Sequence, residues 1–185
     1  MSYFAAAVTR GPKGWAVAEL DLGRPSEMTD VEEVAELLRD TDIEAEVSLL
    51  FVEVDDEYLA ILRLDEGEDL RVFGSDAAFV DESPVGAMLL GEEDRPGSID
   101  LPDDDFDPSD EDGDGDDADD DDDEAVAGPD ADDAEPIGDV DLLADLGMPG
   151  RQLRALCIKE GMLPSDMTAE ICGVLGCAED VEELR

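Results

Sequence analysis

The sequence predicts an α+β domain over residues 1–91, built on a five-stranded, mainly antiparallel sheet in ββαβββα order. An acidic disordered linker over 92–136 and a small all-helical segment over 137–185 are expected to follow. Three observations carry this reading. Short apolar runs separated by turn residues fill most of the first 91 positions, as strands in meander do. One stretch among them repeats its apolar residues at helical spacing instead. Between residues 92 and 135 the composition changes abruptly, to 24 acids and one base.

Tyr3 to Thr9 reads as a strand, Gly11-Pro12-Lys13-Gly14 as a turn, and Trp15 to Leu20 as the return strand of a hairpin. The alanines of this pair imply that something packs closely over one face. After Gly23-Arg24-Pro25, Thr29 and Glu32 have capping-box spacing, and Asp30, Glu32 and Glu33 suit the positive end of a helix dipole. Val31, Val34, Ala35 and Leu38 form one apolar stripe, and the helix should reach about Arg39, leaving an acidic solvent face.

Val47 to Val54 is apolar on both faces, which places it in the middle of a sheet covered on both sides. Asp55-Asp56-Glu57 turns the chain into Tyr58 to Leu64. Asp65 to Asp69 turns it again into Leu70 to Phe73. Ser75 is expected to cap a helix over Asp76 to Val80, and Ser83-Pro84 to open another over Val85 to Leu90, ended by Gly91. Profilin-like, longin and roadblock-type domains have this element order, and most of them are interaction modules; function does not follow from fold alone.

Residues 92–135 are mostly Asp, Gly, Pro and Ala, and they cannot bury enough apolar surface to offset their ordering entropy. An extended, disordered spacer is expected. Order should return near Ile137. Asp139 can cap a short helix Val140 to Leu146, stopped by Gly147. Gly150 to Lys159 follows, with Leu153, Leu156 and Cys157 on one side and Gly161 as its end. Ser165 or Asp166 begins the next helix, with Met167, Ile171, Val174 and Leu175 on one face and Gly176 as its stop. Val181 and Leu184 mark a last turn or two. About 49 residues make a marginal core, so this piece should fold against the first domain, a second copy or another protein.

The charge balance removes several activities. Eleven Lys+Arg face 56 Asp+Glu with no histidine, a formal net of -45. Histidine cannot serve as base, zinc ligand or pH switch. Direct binding to nucleic acid or to an anionic membrane is not expected, because like charges repel at long range. The spacer holds a net of -23, residues 1–91 a net of -16 and residues 136–185 a net of -6. No secretory signal or membrane span is visible, and a cytoplasmic protein is the simpler reading.

No residue is singled out as catalytic, and no cofactor or metal is expected. Cys157, Cys172 and Cys177 are odd in number, with 14 and 4 residues between them and no CxxC. They read as small buried hydrophobes with reduced thiols, ahead of a zinc or redox site. The Asp-rich run lacks the ligand spacing and closing glutamate of a calcium hand. No glycine-rich loop has phosphate-cradling spacing, and no GxSxG occurs. The run Asp119, Asp120, Asp121, Asp122, Asp123 and Glu124 has two readings: a solvated linker, or an electrostatic lure that steers a basic protein or imitates nucleic-acid charge. Acidity throughout residues 1–91 also fits a generally acidic or salt-adapted proteome.

Ser2-Tyr3-Phe4-Ala5-Ala6, Gly14-Trp15, Leu49-Leu50-Phe51-Val52-Glu53, Asp56-Glu57-Tyr58 and Val72-Phe73-Gly74-Ser75-Asp76-Ala77-Ala78 resemble the tRNA adenosine deaminase-associated proteins of actinobacteria. Asp139 to Gly147, the helical end and the acidic spacer are similar to that family too. The resemblance implies association through gene neighbourhood with the wobble-adenosine deaminase and does not imply deaminase activity. His-x-Glu and Pro-Cys-x-x-Cys, which hold zinc and move protons in that enzyme, are absent. Taken with the net charge of -45, the resemblance leads to the expectation of a non-catalytic accessory that docks through acidic surface on a basic, tRNA-binding partner. The alternatives are a profilin- or roadblock-like module that forms a homodimer, and a nucleic-acid mimic.

Overall fold

Tyr3–Gly11 (β1) and Gly14–Glu19 (β2) form the expected hairpin, turned at Pro12 and Lys13. The computed structural model describes residues 3–23, 31–91, 135–159 and 161–184. Helix α1 spans Val31–Thr41 and buries Val34, Ala35 and Leu38 of the predicted stripe, with its fourth member Val31 only partly buried, while Glu32, Glu33, Glu36 and Asp40 face outward. Thr29, Asp30 and Pro25 lie outside the described residues, so the expected capping box does too.

Strands Val47–Val54 (β3), Tyr58–Asp65 (β4) and Asp69–Gly74 (β5) follow in meander. Asp55 and Asp56 both take positive φ in the tight β3–β4 turn, a backbone that Asp tolerates better than most residues. Helices Ala78–Glu82 (α2) and Pro84–Leu90 (α3) close the first part. Ser83 caps α3 as expected, its Oγ accepting from the Val85 amide at 3.2 Å with Pro84 in the first turn. Ser75 does not cap α2. Its Oγ accepts from the Leu59 amide at 3.0 Å, and Asp76 accepts from the Ala78 amide at 2.9 Å instead. The β4 edge wins Ser75 because its amide would otherwise be a buried donor without a partner.

The sheet has six strands in the order β2-β1-β3-β4-β5-β6, every neighbour antiparallel, where five were expected. The sixth, β6, is Ile137–Gly138, paired with Gly74 and Phe73. Two residues carry no periodicity, so composition could not announce this strand. Gly138 has φ +84°, and a Cβ there would sit 2.2 Å from the Val72 carbonyl oxygen. Only glycine lets the chain enter the edge so closely.

Beyond β6, Asp139 Oδ1 accepts from the Asp141 amide, and the chain makes turns and a 3-10 segment, Ala144–Leu146, rather than a full helix. Gly147 ends it at φ +101°. Helices Gly150–Cys157 (α4), Pro164–Leu175 (α5) and Ala178–Glu182 (α6) complete the chain. Helix α5 starts at Pro164, just before the expected Ser165 or Asp166, and Asp166 accepts from the Leu163 amide at 3.4 Å. Met167, Ile171 and Leu175 are buried as expected, whereas Val174 is largely exposed.

Two apolar layers explain why β3 is buried along its whole length. On one face Leu50, Val52 and Val54 meet Val34 and Leu38 of α1, Phe79 of α2 and Leu89 of α3. On the other, Leu49 and Phe51 meet Leu142, Leu143, Leu153, Met167, Ile171 and Val181. The carboxyl-terminal helices are therefore the second cover that the two-sided strand requires. Ala5 and Ala7 of β1 lie in the first layer, where small side chains admit close packing.

Candidate functional site

A lone arginine in an apolar strand anchors the second layer. Arg63 on β4 follows Leu59-Ala60-Ile61-Leu62 and is only 4% exposed. Its Nε and Nη2 donate to Asp65 Oδ1 at 3.0 and 2.8 Å, and Nη2 donates to Asp145 Oδ2 at 2.8 Å. Nη1 donates to Asp145 Oδ1 and to the Leu142 carbonyl. Arg71 donates to Asp65 Oδ2 at 2.7 Å and stands 3.5 Å from Asp139. Both carboxyls are held below their usual range: at Asp145 the Arg63 hydrogen bonds dominate, and at Asp65 desolvation is the largest influence and acts upward, but the hydrogen bonds and charges of Arg63 and Arg71 together overcome it. Asp145 raises the Arg63 pKa further. This network fastens residues 139–145 to the sheet.

The thiols belong to the same layer. Cys172 and Cys177 are buried and Cys157 is partly so, and none is in a disulfide. Burial pushes the Cys157 thiol up to about 11, and its Sγ donates to the Leu153 carbonyl at 3.4 Å. A hydrogen bond from Cys172 lowers the Cys177 pKa against its own burial. Small buried side chains account for all three. Among the described residues no group of three or more Cys, Asp or Glu is arranged to hold a metal ion.

Acidic surface is the remaining candidate. Asp119, Asp120, Asp121, Asp122, Asp123 and Glu124 lie outside the described residues. Within the folded unit, carboxylates gather at both ends of the sheet. At one end Asp55, Asp56 and Glu57 share the surface with Glu82, whose Oε2 accepts from Tyr58 Oη at 2.7 Å. That bond leads the causes that raise the Tyr58 pKa to about 12, and the ring stacks on Phe79 with centroids 4.3 Å apart.

At the other end, the last turn of α1 carries Asp40, the loop after it Asp42, Glu44 and Glu46, and the β4–β5 turn Glu66 and Glu68. The two segments are tied together. The Glu66 amide donates to the Glu46 carbonyl at 3.0 Å, and Arg39 Nε donates to the Gly67 carbonyl at 2.7 Å. Between them lies a cleft of about 490 Å³ with Ser48 and Leu64 among its lining. Arg10, on the neighbouring hairpin, stacks over Trp15 at 5.9 Å. Sequence reading picked out the turns but not Arg63 or Ser48. For Arg63 the available signal was a charged residue between apolar neighbours inside a strand; for Ser48, which shares its strand with Glu53, no such signal stood out.

A family model described as Rv3753c-like tRNA adenosine deaminase-associated protein matches residues 3–178. No curated protein and no solved structure matches the chain. Among the described residues no helix is long and apolar enough to cross a membrane.

Proposed function

The chain belongs to the Rv3753c-like tRNA adenosine deaminase-associated protein family, and from that membership we propose how it acts: by acidic docking on the basic surface of the deaminase. The protein is a non-catalytic accessory, and its partner is a protein, the tRNA adenosine deaminase. An enzyme that binds tRNA must present cations to the phosphate backbone. A chain of net charge -45 is drawn to such a surface and repelled by the tRNA itself.

The observation that carries this reading is the exposed carboxylate set on the α1–β3 loop and the β4–β5 turn, held in place by backbone hydrogen bonds. A fixed acidic face supports a defined dock, while the run Asp119–Glu124 supports longer-range steering from a spacer over 92–136 between the folded parts 1–91 and 137–185. Three thiols outside any disulfide fit a reducing cytoplasm. The deciding experiment is co-purification of the full chain with the deaminase at low and high salt. A complex at low salt that weakens as salt rises supports the reading. No complex at low salt overturns it, and an apolar homodimer that persists at high salt favours a scaffold role.

A further inference from the structure

We propose that the cleft between the α1–β3 loop and the β4–β5 turn receives a lysine side chain of the protein partner. This deepens the acidic-docking reading and rests on it. Asp42, Glu66 and Glu68 line the cleft, against one cation, Arg39. Glu66 and Glu68 are exposed and make no ion pair with any described residue. The local balance thus favours a cationic guest.

Acids alone would not define a site. The second observation is Ser48, 4% exposed on β3, which lines the cleft and whose hydroxyl makes no hydrogen bond with another described residue. A hydroxyl held in a strand without a partner has unused acceptor capacity, and an incoming ammonium donates to it. Three N–H donors on one compact head suit a hydroxyl and two separate carboxylates better than a planar guanidinium does. The walls suit the rest of the side chain. Leu64 gives an apolar surface for a four-carbon stem, and Ile43, 83% exposed beside the opening, gives another. An aliphatic side chain held that far into water, next to an acid-lined cleft open to solvent, fits a protein face rather than a small enclosed ligand.

The test uses the full chain in two arms. In the first, N-acetyl-lysine methylamide is titrated while the backbone amide resonances of Ser48, Glu66, Gly67 and Glu68 are followed by NMR, with the norleucine analogue as the uncharged control. Saturable shifts at millimolar ligand, absent with norleucine and at least fivefold weaker in Ser48→Ala and in the double variant Glu66→Gln/Glu68→Gln, are expected. Absence of shifts, or equal shifts with norleucine, overturns the proposal. In the second arm, binding to the purified deaminase is measured for the same variants and for Ile43→Asp, each checked for an unchanged urea midpoint. A tenfold or greater loss supports the cleft as the dock. A complex that forms but ignores all of these variants overturns the cleft and leaves acidic docking standing. No complex at all, with lysine still seated in the cleft, overturns the deaminase reading and leaves the lysine site.

Discussion

Arg63 and Asp145 stand 82 residues apart in sequence and form a two-pronged ion pair across the sheet's second face. The arginine is buried, whereas the Asp145 side chain is 58% exposed, so the two ends of the pair differ in worth. Arg63→Ala removes the shared donor for Asp65, Asp145 and the Leu142 carbonyl, and should destabilise by about 3 kcal/mol. Asp145→Asn leaves Arg63 bound to Asp65 and to the carbonyl, and should cost only about 1 kcal/mol after solvent screening. Urea unfolding of both variants checks the ratio, and limited proteolysis of Arg63→Ala should release the carboxyl-terminal helices first.

The same pair predicts a pH dependence. Asp65 and Asp145 have folded pKa values below the usual carboxylate value of 3.8. The unfolded chain therefore binds their protons first as pH falls, and the stability they contribute is complete above the unfolded value and lost as pH drops through the folded one. The stability gap between wild type and Asp145→Asn should be flat from pH 7 to about 5 and should close below about pH 4. A gap that widens on acidification would contradict the assignment. Total stability is a poorer readout, because acid also relieves repulsion among the other carboxylates.

Gly138→Ala tests the sixth strand. The residue sits at φ +84°, and its new Cβ would meet the Val72 carbonyl oxygen at 2.2 Å. Left-handed strain and backbone overlap together should cost about 3 kcal/mol and detach Ile137 from Gly74. Gly161→Ala is the control: its φ is +73°, but nothing lies within 4 Å of the added methyl. It should cost about 1 kcal/mol, the conformational share alone.

These residues also mark what was legible beforehand. Strand β3 was readable because an unbroken apolar run at a strand's length has one home, and α1 because Val34, Ala35 and Leu38 recur on one helical face. The two-sided burial of β3 even required a second cover. What supplied that cover was not readable, since α4 to α6 reach the sheet through long-range packing that no local pattern encodes. Ser75 was misread because a serine before a helix and a serine beside a strand look alike in sequence; its competitor, the Leu59 amide, lies 16 residues away. The acid cleft was half visible. Its turns announced themselves, but their meeting depends on Arg39 reaching Gly67 across 28 residues.

Tyrosine titration isolates one side chain at the far end of the sheet. The hydrogen bond to Glu82 carries the Tyr58 pKa to about 12, above its ordinary value of 10. Tyr3 is the only other tyrosine in the chain, so in a Tyr3→Phe background absorbance in the phenolate band reads Tyr58 alone. Glu82→Gln should bring Tyr58 down towards 10, because the amide no longer opposes a phenolate charge. The folded pKa is raised, so stability from this bond is complete below pH 10 and fades as pH climbs towards 12. A Tyr58 titration unmoved by Glu82→Gln would rule out the bond as its main cause.

Thiol chemistry reads the second layer directly. Cys172 and Cys177 are closed to solvent, and burial holds Cys157 protonated to about 11, so none presents an accessible thiolate near pH 8. Alkylation of the native chain at that pH should be slow at all three and fast in urea. Cys157 should react first, since it alone is partly exposed. Arg63→Ala, which loosens the fastening of residues 139–145, should speed labelling of Cys172 and Cys177 at urea concentrations below its own unfolding midpoint. That order follows if the carboxyl-terminal layer opens as a unit ahead of the sheet. Equal acceleration at all three thiols, in step with global unfolding, would mean that the two layers melt together.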